Sequence, residues 1–204
     1  MSSRPSEREF EEVVSRNREQ RTAGLVFEPS LSVALSLSDV RLLSRDLAKA
    51  SAGWEKLRVV ENVASLIPRV RGLYMFVWTP PLDLQFVGSA AISGQAWILY
   101  VGKAGIAGGT QDTIQDRFLS EYRRYLFAPP EALWADERDE ADQARAERMK
   151  KFLTLQPLEF WFLPIDQVYQ IENLERRLIR LLNPPLNRKG IGPRLRPASR
   201  GPAF

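Results

Sequence analysis

Apolar residues fall into three short dense runs and a few longer stretches with helical spacing. Residues 72–78 (Gly-Leu-Tyr-Met-Phe-Val-Trp), 97–104 (Trp-Ile-Leu-Tyr-Val-Gly-Lys-Ala) and 157–163 (Pro-Leu-Glu-Phe-Trp-Phe-Leu) are rich in β-branched and aromatic side chains. Turn-formers bound them, so they read as strands. Pro80, Pro81, Gly88 and Gly94 lie between the first two, which predicts a long hairpin connection. Residues 166–182 predict a helix. At 3.6 residues per turn Ile171, Leu174, Leu178, Leu181 and Leu182 share one side, and Arg176, Arg177 and Arg180 take the other. Ser38 can cap an earlier helix reaching about Ala50, with Val40, Leu43 and Leu47 inward. Gly53 ends it, a second helix is expected over 54 to about 66, and Pro68 breaks the chain before the first strand. A further helical pattern runs from Thr113 to Leu119.

These elements predict a mixed α/β (α+β) fold. Residues 1–66 read as an N-terminal helical extension, whose first 22 residues are a charged arm, either an exposed helix or partly disordered. Residues 67–190 read as the core. Within it, 129–152 is an insertion of mixed charge introduced by Pro129-Pro130, a predicted solvated helix. Residues 191–204 continue a basic, proline- and glycine-rich tail that begins at Arg188 and Lys189 and contains no acid. The apolar residues Val40, Leu43, Leu47, Trp54 and Leu57 exceed what a small core needs. They are expected to form a homodimer contact or a DNA clamp, or else to pack on their own core.

Composition narrows the chemistry. At 44% hydrophobic and 26% charged residues, the chain is globular rather than disordered. No apolar run approaches the roughly 20 residues that span a bilayer. The absence of cysteine fits a reducing compartment such as the cytoplasm. The net charge of +4 is compatible with a nucleic-acid partner without requiring one. The absence of histidine cuts deeper. It removes the usual neutral-pH general base, Ser-His-Asp catalysis and any imidazole metal site. A bound metal must be held by oxygen, which points to Mg²⁺ or Mn²⁺.

Glu175 stands out because it falls inside the apolar stripe of the last helix, between Leu182 and Ile179 on the wheel. A carboxylate there is paired, hydrogen-bonded or metal-bound, since an unpaired one costs several kcal/mol. Taken alone, a buried ion pair or a place at the stripe's edge explains it better than a metal does. The helix then ends in Asn183-Pro184-Pro185-Leu186-Asn187, where an asparagine serves either as a local cap or as a phosphate contact.

Five elements in order resemble the GIY-YIG nuclease family across about residues 70 to 190. Gly72-Leu73-Tyr74 stands where that family has its first tripeptide. Tyr100-Val101-Gly102 stands where it has the second, followed by Lys103. Arg117 matches the arginine of the first helix and Glu175 the metal-binding glutamate. Pro184 and Asn187 follow that acid at nine and twelve positions, as in the nuclease half of the bacterial excision-repair endonuclease. The long gap between the tyrosines and the glycine-rich run after Lys103 look most like the type II restriction members. Some of those carry a histidine four residues after the arginine, where this chain has Glu121 with Tyr122 beside it.

The resemblance implies a small core with a three-stranded antiparallel sheet flanked by helices, and a divalent-metal-dependent endonuclease acting on DNA, presumed double-stranded. Glu175 is then the metal ligand and Arg117 the contact to a nonbridging phosphate oxygen. Tyr74 and Tyr100 hold the attacking water, with Tyr74 the better base, although strand tyrosines are usually core residues. An unperturbed phenol titrates near 10. A cation such as Lys103 would have to favour its ionised form, unless Lys103 contacts phosphate or is merely solvated. Glu172 lies about 60° from Glu175 on the wheel and is left outside the site. The catalytic set expected is therefore Tyr74, Tyr100, Lys103, Arg117, Glu175 and Asn187. Repair, homing or phage-defence nucleases of the same fold, or a non-catalytic DNA-binding module, are the competing expectations.

Overall fold

The strand with the densest apolar run becomes the one buried on both faces. Gly72–Trp78 (β2) has its first six residues buried, as a central strand requires. The computed structural model describes residues 37–80, 95–106, 112–123, 126 and 157–187. The N-terminal arm, most of the hairpin connection, the charged insertion over 129–152 and the basic tail lie outside the described residues.

Helix α1 (Leu37–Ala50) leads to β1 (Glu55–Arg58), a single turn α2 (Val63–Leu66) and β2. Strand β3 (Trp97–Ala104) follows, then α3 (Ile114–Arg117), which runs directly into a π-helical turn, Phe118–Tyr122. Strand β4 (Leu158–Pro164) and helix α4 (Val168–Leu182) complete the described core. The sheet is antiparallel throughout, in the order β1-β4-β2-β3.

It has four strands where three were expected. The segment 54–66, expected as a helix, supplies the fourth. Glu55–Arg58 pairs with β4 from Glu55 opposite Phe162 to Arg58 opposite Glu159. Without this strand the outer edge of β4 would have no backbone partner, and tertiary pairing overrules a local preference over four residues. Leu57 packs inward while Glu55, Lys56 and Arg58 stay exposed, and charged side chains are what protect an edge strand. The Lys56 ammonium lies 4.3 Å from the centre of the Trp161 ring.

Alternation along the strands divides the interior into two layers. Tyr74, Phe76, Tyr100, Phe160 and Phe162 face Ile114, Phe118 and Tyr122. Leu73, Met75, Val77, Val101 and Leu163 face Ile171, Leu174 and Leu178 of α4, with Leu43 of α1 against the same cluster. Leu47 and Trp54 pack there too. The surface reserved for a dimer contact or a DNA clamp is thus largely consumed by the chain's own core. Leu37 and Leu42, not Leu43 or Leu47, are the exposed apolar residues of α1.

Both glycines of the tripeptides have steric reasons. Gly72 has φ +148°, and a Cβ there would sit 2.0 Å from the Leu163 carbonyl oxygen. Gly102 is directly opposite Tyr74, and a Cβ on it would meet the phenol ring at 2.4 Å. Tyr74 is held from its other sides by Phe160 and Tyr122, with ring centroids at 5.6 and 6.0 Å, and has nowhere to retreat. Gly102→Ala is therefore expected to destabilise the fold by about 2 kcal/mol through overpacking. Urea unfolding with an unchanged m-value measures it, and a loss below about 0.5 kcal/mol contradicts the packing argument.

Candidate active site

The six residues singled out from the sequence fall into two groups on the edge strand β3. The first lies on its aromatic face. The Tyr74 and Tyr122 hydroxyls are 3.0 Å apart and buried. The Tyr100 ring is 6.2 Å from that of Tyr74 and 6.3 Å from that of Tyr122. Burial pushes the Tyr122 phenol well above its ordinary range, and Tyr74 and Tyr100 push it the same way, because charge on one phenol opposes charge on its neighbours. Tyr122 therefore keeps its proton at neutral pH, and either hydroxyl can donate in the bond it shares with Tyr74.

Arg117 stands beside this trio. Its Nε donates to Asp112 Oδ1 at 2.7 Å and its Nη1 to Glu121 at 2.8 Å. Asp112 also accepts from the Ile106 N–H at 3.1 Å, so one carboxylate ties the arginine to the segment leaving β3. Burial works against the guanidinium charge, but the Asp112 hydrogen bond and charge outweigh it and raise its pKa. Tyr74 and Tyr122 are among the groups whose charge Arg117 senses. Arg117 is thus no stray surface charge, and among the described residues Asp112 and Glu121 engage its Nε and Nη1. A cleft of about 490 Å³ lined by Arg69, Arg71, Asp112 and Thr113 opens beside this anchor.

The local sequence accounts for that placement. Thr113 and Asp116 form a reciprocal capping box that starts α3, with Thr113 N–H to Asp116 at 3.1 Å and Asp116 N–H to Thr113 Oγ1 at 3.1 Å. The Thr113 hydroxyl, donating to the Asp116 carboxylate at 2.6 Å, and then the Thr113 N–H lower that carboxyl's pKa. After Arg117 the helix widens to i→i+5 bonding, closed by the Arg123 N–H on the Phe118 carbonyl. In an undisturbed α-helix the fifth residue on points about 140° away. The π turn reduces that angle and carries Tyr122 into the site, while Glu121 stays near enough to hold Arg117.

The second group is on the other face. Lys103 pairs across the strands with Leu73, the neighbour of Tyr74, so its side chain leaves the phenols and goes to α4. Its Nζ is 2.9 Å from Glu175 Oε2 and 3.3 Å from Glu172 Oε1. Burial lowers the lysine pKa, but the Glu175 hydrogen bond and charge, with a smaller contribution from Glu172, raise it on balance. The cation set to influence Tyr74 is accordingly Arg117, not Lys103. Along β3, Tyr100 and Lys103 are three residues apart, about 10 Å.

Helix α4 ends at Asn183, which adopts a left-handed conformation (φ 43°, ψ 55°) that asparagine tolerates, and its N–H bonds the Ile179 carbonyl at 2.9 Å. The proline turn then lies along the outer edge of β3. Leu186 N–H bonds the Leu99 carbonyl at 3.1 Å. The Asn187 carboxamide accepts from the Val101 N–H at 2.9 Å and donates to the Val101 carbonyl at 2.8 Å. Only one amide orientation satisfies both bonds, so the side chain imitates one more strand on that edge. The Asn187 amide thus engages a strand 86 positions away rather than capping its own helix locally. Of the three arginines placed opposite Glu175, Arg177 is tied to Asp46 of α1 at 2.6 Å, which leaves Arg176 and Arg180 on that face.

Asp112, Tyr122 and Glu172 were not among the residues expected in the site. Tyr122 has the wrong spacing from Arg117 for an α-helix, and no sequence signal marks the π turn. Glu172 was recoverable, since residues three apart on a helix are neighbours that one lysine can span. No cluster of three or more carboxylates that could hold a metal ion is found among the described residues. No helix among them is long and apolar enough to cross a membrane. No protein-family model matches the chain, no curated protein matches its sequence, and no solved structure matches its fold.

Since both Asn187 amide groups are engaged by Val101, Asn187→Ala is expected to cost about 2 kcal/mol or more of stability. Asn187→Asp should cost at least as much, because a carboxylate then faces the Val101 carbonyl. Thermal unfolding of both variants tests this, and wild-type stability in either would remove Asn187 from its structural role.

Proposed function

We propose that the chain is a divalent-metal-dependent DNA endonuclease of the GIY-YIG type, plausible as a type II restriction enzyme. The observation that carries the reading is the setting of Arg117. A half-exposed guanidinium is held by two carboxylates against a buried trio of phenols, next to a strand whose other face presents a lysine and two acids. Ordinary core packing needs no such cation beside three tyrosines.

The reaction adds water to phosphorus and breaks the P–O3′ bond, leaving a 5′-phosphate and a 3′-hydroxyl. Arg117 would meet the nonbridging oxygens as charge grows on them. Tyr74 and Tyr100 would orient the water. To take the water's proton Tyr74 must first be a phenolate, to whose oxygen the Tyr122 hydroxyl would donate and whose charge Arg117 would favour. Glu175 would hold Mg²⁺ or Mn²⁺. Its carboxylate offers oxygen donors, and with Glu172 it sets two negative charges against the one of Lys103. A single protein carboxylate with waters and substrate oxygens is a normal Mg²⁺ shell. The ion supplies Lewis-acid polarisation of the phosphate and neutralises the leaving oxygen.

Arg69 and Arg71, on the cleft beside Asp112, suit the flanking phosphates of a duplex. One core carries one such site, so cutting both strands needs two cores, as a homodimer, or two visits. The alternative, a DNA-binding module without catalysis, leaves the charge arrangement around Arg117 without a purpose.

Plasmid nicking with and without Mg²⁺ separates the two. Glu175→Gln is expected to abolish cleavage while DNA binding survives, and full activity of that variant would remove the metal assignment. Arg117→Ala should lose about 3 kcal/mol of transition-state stabilisation, on the order of a hundredfold in rate. A loss under threefold makes Arg117 structural only. Tyr74→Phe should reduce turnover far more than it reduces stability. If Tyr100→Phe is the slower variant instead, the base assignment moves to Tyr100. Discrete fragments rather than a smear identify a restriction enzyme.

A further inference from the structure

Lys103 sits where a metal-binding carboxylate needs to be bare. Its ammonium reaches Glu175 at 2.9 Å and Glu172 at 3.3 Å, the two acids being one helical turn apart on α4. They differ sharply in surroundings. The Glu175 side chain is 16% exposed and the Glu172 side chain 66%. The inner carboxylate is therefore the better metal site, being partly shielded from solvent, and the outer one is a partner open to water.

We infer that Lys103 is a resident cation that competes with the divalent metal for Glu175, and that Glu172 is the positioning residue that takes the ammonium when the metal binds. This rests on the metal assignment of Glu175 proposed above. A divalent ion and an ammonium on one carboxylate repel, and this partly exposed setting screens the repulsion only incompletely. The lysine stem is flexible and has four carbons. It already bridges both acids, so the exchange shortens one contact and lengthens the other without any backbone movement. Glu172 thus keeps the displaced charge paired and at a distance. The arrangement protects Glu175 from carrying an uncompensated charge when no metal is present, at the expense of metal affinity. It also sets a threshold of metal concentration below which the site stays closed by its own lysine.

The test measures Mn²⁺ binding to the full chain without DNA, by electron paramagnetic resonance of the free ion. Lys103→Met keeps most of the stem and removes the charge. It is expected to tighten Mn²⁺ binding by about twofold to fivefold, the range set by one partly exposed ion pair. Glu172→Gln, which leaves the ammonium only Glu175 as partner, is expected to weaken binding by about threefold or more. The double variant Lys103→Met/Glu172→Gln decides the mechanism, because the effect of Glu172 should vanish once the lysine is gone. Further weakening in the double variant would make Glu172 a direct ligand and overturn its role as receiver. Binding that Lys103→Met leaves unchanged or weakens overturns the competition while the metal reading stands. Absence of Mn²⁺ binding in every variant, with native circular dichroism, overturns both.

Discussion

The ring of Tyr74 occupies the volume that a side chain at position 102 would need, and much of the core is arranged around that fact. The close approach fixes the register of β2 against β3, because sliding by one residue would drive the phenol into Val101 or Lys103 and turn every inward side chain outward. With the register fixed, Tyr100 falls on the same face as Tyr74, and Lys103 on the opposite one. A single steric requirement, glycine opposite tyrosine, thus assigns the phenols to one layer and the ammonium to the other.

Each layer then answers its own electrostatic problem. On the aromatic side the buried Tyr74 and Tyr122 hydroxyls satisfy each other, and burial holds the Tyr122 phenol neutral. The adjacent guanidinium stays charged because Asp112 and Glu121 compensate it. On the helical side Glu175 lies at the rim of the apolar stripe of α4, and Lys103 compensates it. The two layers are joined at the outer edge of β3, where the Asn187 amide bonds Val101 between the tyrosine and the lysine positions. Leu186, the residue before it, packs into the aromatic layer. The turn that ends α4 therefore holds the glutamate's helix in register with the strand that carries Tyr100.

Where the sequence was legible, one local pattern sufficed. The apolar run of β2 and the helical stripe of α4 survive in the fold because each is long enough to outvote its neighbours. The four-residue strand β1 was not legible. Glu-Lys-Leu-Arg carries no strand pattern, and only the unpaired edge of β4, a hundred residues away, makes it one. The apolar residues 43, 47, 54 and 57 were correctly seen to need burial, but their partner is their own sheet and α4, which no local window reveals.

The candidate site divides along the same line. The helical stripe marked Glu175, the family resemblance marked Tyr74, Tyr100, Lys103, Arg117 and Asn187, and the fold gathers them on and around β3. What spacing could not supply was which group compensates which. Lys103 was the cation expected near Tyr74, but strand alternation sends it to the opposite face, and Arg117 is the cation on the side of the phenols. Tyr122 was invisible because its approach depends on a widened helical turn. Such turns leave weaker backbone bonding than an α-helix and persist where another interaction holds them. Here the Tyr74 and Tyr122 hydroxyls, 3.0 Å apart, are that interaction. The π turn and the phenol cluster therefore stabilise each other. The phenol closest to Arg117 in sequence was hidden because its position is produced by the contact it makes.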